Sequence, residues 1–137
     1  MSTPEKRRSL LDSFAILAFL NDEEGAARVA ALLEESSSGG PPLLVNEINV
    51  GEVYYIVAKH RSEEAAEHVL GHLEMLPLEL VPNDFADVLD AARVKARFPL
   101  SYADAFALAT AIRFDATVVT HDPEFETAEH LVDVDWI

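Results

Sequence analysis

Four acidic residues interrupt or end apolar runs: Asp12 after residues 9–11, Glu52 within 48–57, Asp104 within 103–112 and Asp122 after 116–120. A buried carboxylate is costly unless it is paired or bound to a metal. Two such charges about 4 Å apart repel by about 4 kcal/mol at an effective dielectric near 20. No lysine or arginine stands beside any of the four within its own segment. If the fold brings them together, the natural partner is a divalent cation that prefers hard oxygen ligands, Mg²⁺ or Mn²⁺.

Three of these acids also have an explanation in local helix chemistry. Asp12 and Asp122 follow apolar runs and fit helix N-caps, and Pro123 favours the first helical position. Ser101 and Asp104 have the spacing of a capping box. Under this hypothesis the protein is a small acidic α/β domain, and the Asp12→Asn and Asp104→Asn proteins behave like wild type. It also predicts no metal-linked shift in melting temperature.

Glu52 and Asp104 are harder to explain as helix caps or surface charges. At helical spacing, Glu52 lies between Ile48 and Ile56, on a stripe that we predict to face the core. Asp104 lies in the same way on a stripe that includes Leu100 and Leu108. Both carboxylates are therefore expected to project from core-facing sides of helices.

Short apolar runs alternate with longer amphipathic segments along the chain, a pattern typical of α/β proteins with a parallel sheet. The predicted strands are 8–11, 43–45, 78–81, 116–120 and 131–137. The predicted helices are 13–20, 23–36, 46–60, 62–75, 83–98 and 101–113, with Ser62 and Asn83 as N-caps of the fourth and fifth. Ligands of such sheets bind outside the carboxyl ends of the strands, where one pocket could collect all four acids.

The composition indicates one globular domain, residues 1–137. The absence of cysteine excludes a disulfide scaffold and thiolate metal sites, and it fits the reducing cytoplasm, where we expect the protein to act. The first eight residues are polar, and Asp12 and Ser13 interrupt the apolar stretch 10–20. We therefore expect neither a signal peptide nor a membrane span.

The formal net charge of −15 opposes any nucleic-acid role that depends on bulk charge. Local basic patches or a metal ion could still bind phosphate, because a divalent cation reverses the sign of the local field. Arg93 and Arg97, on one face of a predicted helix, are the main candidates for such a basic patch, and the alternative for each is an ordinary solvated helix surface. Further basic candidates are Lys6, Arg7, Arg8, Lys59, Arg61 and Lys95.

The sequence does not contain the residue patterns that other common kinds of active site require. The chain has no glycine-rich phosphate loop, and its histidines suggest no Ser-His-Asp set. His68 and His72 have the spacing of a zinc pair without an evident third ligand. Paired carboxylates also serve glycoside hydrolysis, but the aromatics of a sugar cleft are missing. A carboxylate cluster that holds one or two divalent ions is the arrangement for phosphodiester hydrolysis.

Four segments, in this order, resemble the PIN-domain ribonucleases, most closely the small VapC-type toxins of toxin–antitoxin pairs: LLDS at 10–13, INVGEVY at 48–54, YADAFALATA at 102–111 and VVTHDPEF at 118–125. They extend over nearly the whole chain. The resemblance implies a three-layer α/β/α sandwich with a central parallel sheet. It also implies Mg²⁺- or Mn²⁺-dependent RNA cleavage by a metal-activated water, without a covalent enzyme intermediate.

The resemblance implies functional roles for residues in the four matching segments. Asp12, Glu52, Asp104 and Asp122 would be the catalytic metal-binding set, with Asp12 and Asp104 as direct ligands. Ser13, Asn49 and Thr120 would support these ligands, Asn49 by orienting Glu52 through a hydrogen bond. A homodimer and an antitoxin with an arm across the active site are also implied. The alternative is a PIN-like binding or assembly module that does not cleave, although its acids would then have no reason to persist. Metal-dependent turnover of RNA discriminates the two.

Overall fold

The computed structural model describes residues 7–137. Its strands are β1 (Ser9–Leu11), β2 (Leu43–Asn46), β3 (Leu78–Val81), β4 (Thr117–Thr120) and β5 (Val134–Trp136). Its helices are α1 (Ser13–Leu20), α2 (Ala26–Ser37), α3 (Glu47–His60), α4 (Glu63–Glu74), α5 (Phe85–Arg97) and α6 (Tyr102–Phe114), and a 3₁₀ helix spans Pro123–Ala128. Each predicted strand and helix is present, with ends shifted by a few residues. Within residues 7–137 no helix is long and apolar enough to cross a bilayer.

The five strands form one parallel sheet in the order β3-β2-β1-β4-β5, which confirms the predicted parallel architecture. The central strand β1 pairs with β2 on one side and with β4 on the other. The chain moves outward from β1 to β3 and then returns across the sheet to β4. The boundary between β1 and β4 is therefore the point where the strand order reverses.

Side chains alternate along the strands and divide the core into two layers. Leu11, Val45 and Val119 pack with helices α1 to α4 on one face of the sheet. Leu10, Leu44 and Val118 pack with α6 and part of α5 on the other face. Complete burial of each such side chain contributes about 1.5–3 kcal/mol. Helices on both faces of a parallel sheet make the predicted three-layer α/β/α sandwich.

The predicted N-cap of α5 was wrong by one residue. Asp84, not Asn83, caps this helix and forms a capping box with Asp87. Asn83 instead exchanges two side-chain hydrogen bonds with Asn46 at the end of β2, at 2.8 and 3.0 Å. This paired amide contact ties β2 to the start of α5, so Asn83 is not available as a cap. The predicted caps Ser62 and Ser101 are confirmed.

Two of the basic candidates lie at the amino edge of the sheet, opposite the ends where the strands finish. Arg7 pairs with Asp115 and Asp133, and Arg8 pairs with Glu79 at 3.1 Å. Both precede β1, whose neighbour β4 begins beside Arg8. These arginines therefore neutralise local acids far from the predicted site. Lys6, a third candidate, lies outside the described residues.

Candidate metal centre

The four predicted acids project from four elements that meet at the carboxyl edge of the sheet. Asp12 follows β1 and caps α1, and Asp122 follows β4. Asp104 lies in the first turn of α6, and Glu52 lies in the second turn of α3. Because β1 and β4 flank the point of reversal, Asp12 and Asp122 border the crevice where open parallel sheets bind ligands.

Asp12 is completely buried at this edge. One carboxylate oxygen accepts a hydrogen bond from the main-chain N–H of Ala15 at 2.8 Å, and the other accepts one from the hydroxyl of Thr120. Burial nevertheless raises the pKa of Asp12 to about 7, and the negative charges of Asp122 and Glu52 add to the increase. Asp12 is thus a helix cap as the local explanation proposed, but its complete burial is not a requirement of capping.

Asp104 is also buried, with 3% of its surface exposed. Its pKa is raised to about 8, chiefly by burial and in smaller part by a hydrogen bond with Asp122 and the charge of Asp12. The Ser101 hydroxyl oxygen accepts a hydrogen bond from the Asp104 N–H at 3.2 Å, which is half of the predicted capping box. The reciprocal bond to the Ser101 N–H is not found among the described residues. The Asp104 carboxyl contacts Asp122 instead.

Glu124 joins this cluster, although the sequence prediction had not included it. One carboxylate oxygen from each of Asp104, Asp122 and Glu124 lies within 4.8 Å of the others. The 3₁₀ helix produces this approach, because the Glu124 N–H donates to the Asp122 carboxylate at 2.9 Å. Pro123 was the available signal, since proline at a first helical position places Glu124 in the same turn as the Asp122 cap.

Glu52 lies at the rim of the cluster, and the prediction that it faces the core was wrong. The buried face of α3 is formed by Asn49, Val53 and Val57, one residue around the helix from the predicted stripe. Glu52 is half-buried, and the Tyr55 hydroxyl lies 3.4 Å from one of its oxygens. Its charge is still close enough to contribute to the raised pKa of Asp12.

Asn49 and Ser13 form a buried polar link beside the acids. The Asn49 side-chain amide donates to the Ser13 hydroxyl at 3.0 Å and to the Ala103 carbonyl at 3.2 Å. The predicted hydrogen bond to Glu52 therefore does not form. The Asn49 side-chain oxygen is buried and has no partner among the described residues. Leaving such an oxygen unsatisfied costs about 1–3 kcal/mol, which indicates a water or ligand at this position.

Thr120 links the two strand-end acids. Its hydroxyl donates to Asp12 and accepts a hydrogen bond from the Asp122 N–H at 3.0 Å. One buried hydroxyl thus fixes Asp12 relative to the main chain at Asp122. This geometry is compatible with the supporting role that the family resemblance implies for Thr120, which stays a prediction.

The donor set fits a divalent cation. Within residues 7–137 no lysine or arginine forms an ion pair with the four predicted acids or with Glu124. The available groups are carboxylate oxygens and the unpaired amide oxygen of Asn49, all hard ligands. At Mg²⁺–oxygen distances of 2.0–2.1 Å, ligands on opposite sides of the ion are about 4.2 Å apart. The oxygens of Asp104, Asp122 and Glu124, all within 4.8 Å of one another, therefore need only small movements to hold one ion.

Arg93 and Arg97 do not join the acids. They line a cavity of about 470 Å³ between α5 and α6, together with Arg113. Arg93 pairs with Asp90 at 3.0 Å, and Arg113 pairs with Asp87 at 2.8 Å. Arg97 has no ion pair within residues 7–137. None of the clustered acids lines this cavity, which is therefore a separate basic surface.

Comparison with known proteins gives a family match over most of the chain. The PIN-domain family model matches residues 9–131. No curated protein matches significantly.

Solved structures share the fold. VapBC2 from Rickettsia felis, bound to a DNA fragment from its promoter, has a TM-score of 0.72 and 16% identity, over 93% of this chain and 96% of that one. VapC20 from Mycobacterium tuberculosis, a Sarcin-Ricin loop cleaving toxin, has a TM-score of 0.66 and 17% identity, over 88% and 94%. A toxin-antitoxin complex from Klebsiella pneumoniae has a TM-score of 0.59 and 19% identity, over 85% and 89%. At these identities the likeness establishes the fold.

Proposed function

Since the chain belongs to the PIN-domain family, we propose that it is a Mg²⁺- or Mn²⁺-dependent endoribonuclease and the toxin of a toxin–antitoxin pair. One observation carries the proposal: Asp12 and Asp104 are buried near each other and near the half-buried Asp122, and no lysine or arginine of residues 7–137 forms an ion pair with them. Such a cluster is destabilising in the metal-free protein and becomes favourable when a cation neutralises it. A purely structural role does not require that cost.

In this proposal the carboxylates hold the cation, and neighbouring polar side chains orient its ligands. Asp12, Asp104, Asp122 and Glu124 would hold it, with Glu52 reaching it from the rim. When bound, a divalent cation supplies a water of lowered pKa and neutralises charge on the phosphate and on the leaving oxygen. Thr120 keeps Asp12 in place through its hydroxyl. The buried side-chain oxygen of Asn49, which has no partner within residues 7–137, would accept a hydrogen bond from a water at the site and orient it.

Proton release accompanies loading of the site. Near neutral pH, the raised pKa values leave Asp12 partly and Asp104 largely protonated in the metal-free protein. Ligation requires the carboxylates, so these protons leave as the cation binds. Cation affinity should therefore increase with pH up to about pH 8.

The proposed partners are RNA, a cognate antitoxin and a second copy of the chain, in the cytoplasm. Among structures that share the fold, VapC20 is a Sarcin-Ricin loop cleaving toxin and the Klebsiella pneumoniae structure is a toxin-antitoxin complex. The net charge of −15 suits an antitoxin with a basic arm. We assign RNA backbone contacts beyond the cluster to Arg93 and Arg97, because both line the cavity of about 470 Å³ between α5 and α6.

The decisive experiment is cleavage of a labelled total-RNA pool by purified protein freed of any antitoxin. The reactions contain Mn²⁺, Mg²⁺ or EDTA, and Asp104→Asn is assayed in parallel. Discrete products that require metal and disappear with Asp104→Asn are expected. A folded, partner-free protein that cuts no RNA with either metal would instead favour the non-catalytic binding module.

A further inference from the structure

A cavity of about 410 Å³ lies beside the carboxylate cluster, within the size range of small-ligand sites. Its apolar and aromatic walls are Phe14, Leu17, Ile56 and His121, and Glu23 and Glu24 from the connection between α1 and α2 also line it. None of the functional roles described so far involves these residues. The cavity therefore needs its own explanation.

Each of three structural elements supplies both an acid of the cluster and a wall of this cavity. The pairs are Asp12 and Phe14 at the start of α1, Glu52 and Ile56 one turn apart on α3, and Asp122 and His121 after β4. Glu52 and Ile56, four residues apart, lie on one face of α3. In the other two pairs the Cα atoms are at most about 7 Å apart, because no more than one residue separates them along the chain. A molecule held at the acids by one group would therefore have its adjacent group at the cavity.

Phe14, in the first turn of α1, has 48% of its surface exposed, so part of its side chain is accessible to a ligand in the cavity. Its ring centroid lies 6.4 Å from that of His121, with the planes inclined by 56°. His121 Nδ1 lies 2.9 Å from the main-chain oxygen of Ile137. Because that oxygen can only accept, Nδ1 carries the hydrogen and Nε2 is left to contact a ligand.

We propose that this cavity binds one base of single-stranded RNA, next to the phosphate held at the carboxylate cluster. The inference rests on the proposed nuclease function and adds a determinant of where the RNA is cut. Phe14 would stack on the flat face of the base, and His121 would contact its edge. Glu23 and Glu24 repel phosphate, so an uncharged base enters the cavity while the backbone stays at the metal.

The test is a double-mutant cycle in which one change is made in the protein and the other in the RNA substrate. Wild type and Phe14→Ala each cleave two synthetic RNAs, one intact and one with an abasic nucleotide next to the cut bond. On the abasic RNA, wild type should lose roughly tenfold to a hundredfold in kcat/KM, the usual effect of losing one base–aromatic stack. Phe14→Ala should show a similar loss on intact RNA and little further loss on abasic RNA. Phe14→Trp should restore cleavage of the intact RNA.

Phe85→Ala is the matched control, since Phe85 is an exposed phenylalanine at the start of α5 and is absent from this cavity. It should leave both reactions unchanged. Circular dichroism and melting temperature establish that each variant folds. His121→Ala, which removes the second ring, gives an independent cycle should Phe14→Ala prove unstable.

Two results would overturn the inference, and they are distinguishable. If wild type cuts RNA with metal but Phe14→Ala and His121→Ala match it on both substrates, the base site is wrong and the nuclease proposal stands. If wild type cuts no RNA, both fail together. Unchanged RNA kinetics combined with loss of binding to a lysine- and arginine-rich peptide would assign the cavity to a protein partner instead.

Discussion

The hydroxyl of Thr120 donates a hydrogen bond to the carboxylate of Asp12, a residue 108 positions earlier in the chain. Both groups are buried, and the bond joins the ends of the two strands that flank the reversal of strand order. The same hydroxyl accepts from the Asp122 N–H, so it couples the positions of two acids. This contact makes the site dependent on correct pairing of β1 with β4.

Removing this bond should weaken the cation site without unfolding the protein. We expect Thr120→Val to reduce Mn²⁺ affinity by roughly 10- to 100-fold, the usual effect of losing a group that orients a metal ligand. The Mn²⁺ concentration for half-maximal cleavage gives the measurement. Thr120→Ser keeps the hydroxyl and should stay near wild type, whereas equal behaviour of the two variants would contradict an orienting role.

The metal-free protein should become less stable as pH rises from about 4 to 8. The folded pKa values of Asp12 and Asp104, about 7 and 8, lie above the unfolded value near 3.8, so the folded state binds more protons across this interval. At about 1.4 kcal/mol per pKa unit, the two shifts remove about 6 kcal/mol of stability between pH 5 and pH 8. The melting temperature in EDTA should therefore fall by roughly 20 °C over this interval. Thermal melts at several pH values measure this fall.

The asparagine variants separate this effect from general repulsion among surface acids. Asp12→Asn and Asp104→Asn should each reduce the pH dependence and melt above wild type at pH 8 without metal. Parallel pH profiles for the variants and wild type would show that neither carboxyl titrates as assigned.

Divalent metal should reverse the loss of stability. At a Mn²⁺ concentration 100 times the Kd, the folded state gains about 2.7 kcal/mol, and the gain should disappear in Asp104→Asn. Glu126→Gln, an exposed acid of the same 3₁₀ helix outside the cluster, provides the control and should respond like wild type. Equal metal shifts in all three proteins would place the binding elsewhere.

Glu124 should matter for turnover although it is exposed. Its carboxylate lies within 4.8 Å of those of Asp104 and Asp122, so we expect Glu124→Gln to reduce RNA cleavage at least about tenfold at limiting Mn²⁺. Saturating Mn²⁺ should recover part of this loss. Single-turnover rates across a Mn²⁺ series provide the measurement, and full activity at every concentration would remove Glu124 from the site.

Replacing Arg93 and Arg97 together by glutamine should raise the KM for RNA and leave kcat unchanged. Two lost phosphate contacts reduce the steepness of the salt dependence of single-strand binding by about 1.4 in log–log slope. The matched control is Arg7→Gln combined with Arg8→Gln, at the amino edge of the sheet. An unchanged slope in the variant that lacks Arg93 and Arg97 would mean that the cavity between α5 and α6 does not contact RNA.

Local patterns were sufficient to predict the order of strands and helices and the position of Asp104 on the buried face of α6. Short apolar runs and helical spacing are properties of residues near one another in the sequence, so they can be recognised without the tertiary structure. The same reasoning failed for Glu52, because adjacent stripes on one helix are only about 100° apart. Which stripe of α3 is buried depends on how the helix packs against its neighbours.

Sequence alone determined the chemical inventory of this protein: carboxylates at the ends of apolar runs, no cysteine, and few cations beside the acids. The tertiary structure decided which groups meet. In the folded chain Glu124 belongs to the carboxylate cluster, whereas Glu52 lies at its rim. Asn49 donates a hydrogen bond to Ser13 and not to Glu52. Phe14 lies beside His121. Residue type sets what a group can bind, whereas the distances and the burial that shift a pKa arise only when distant segments pack together.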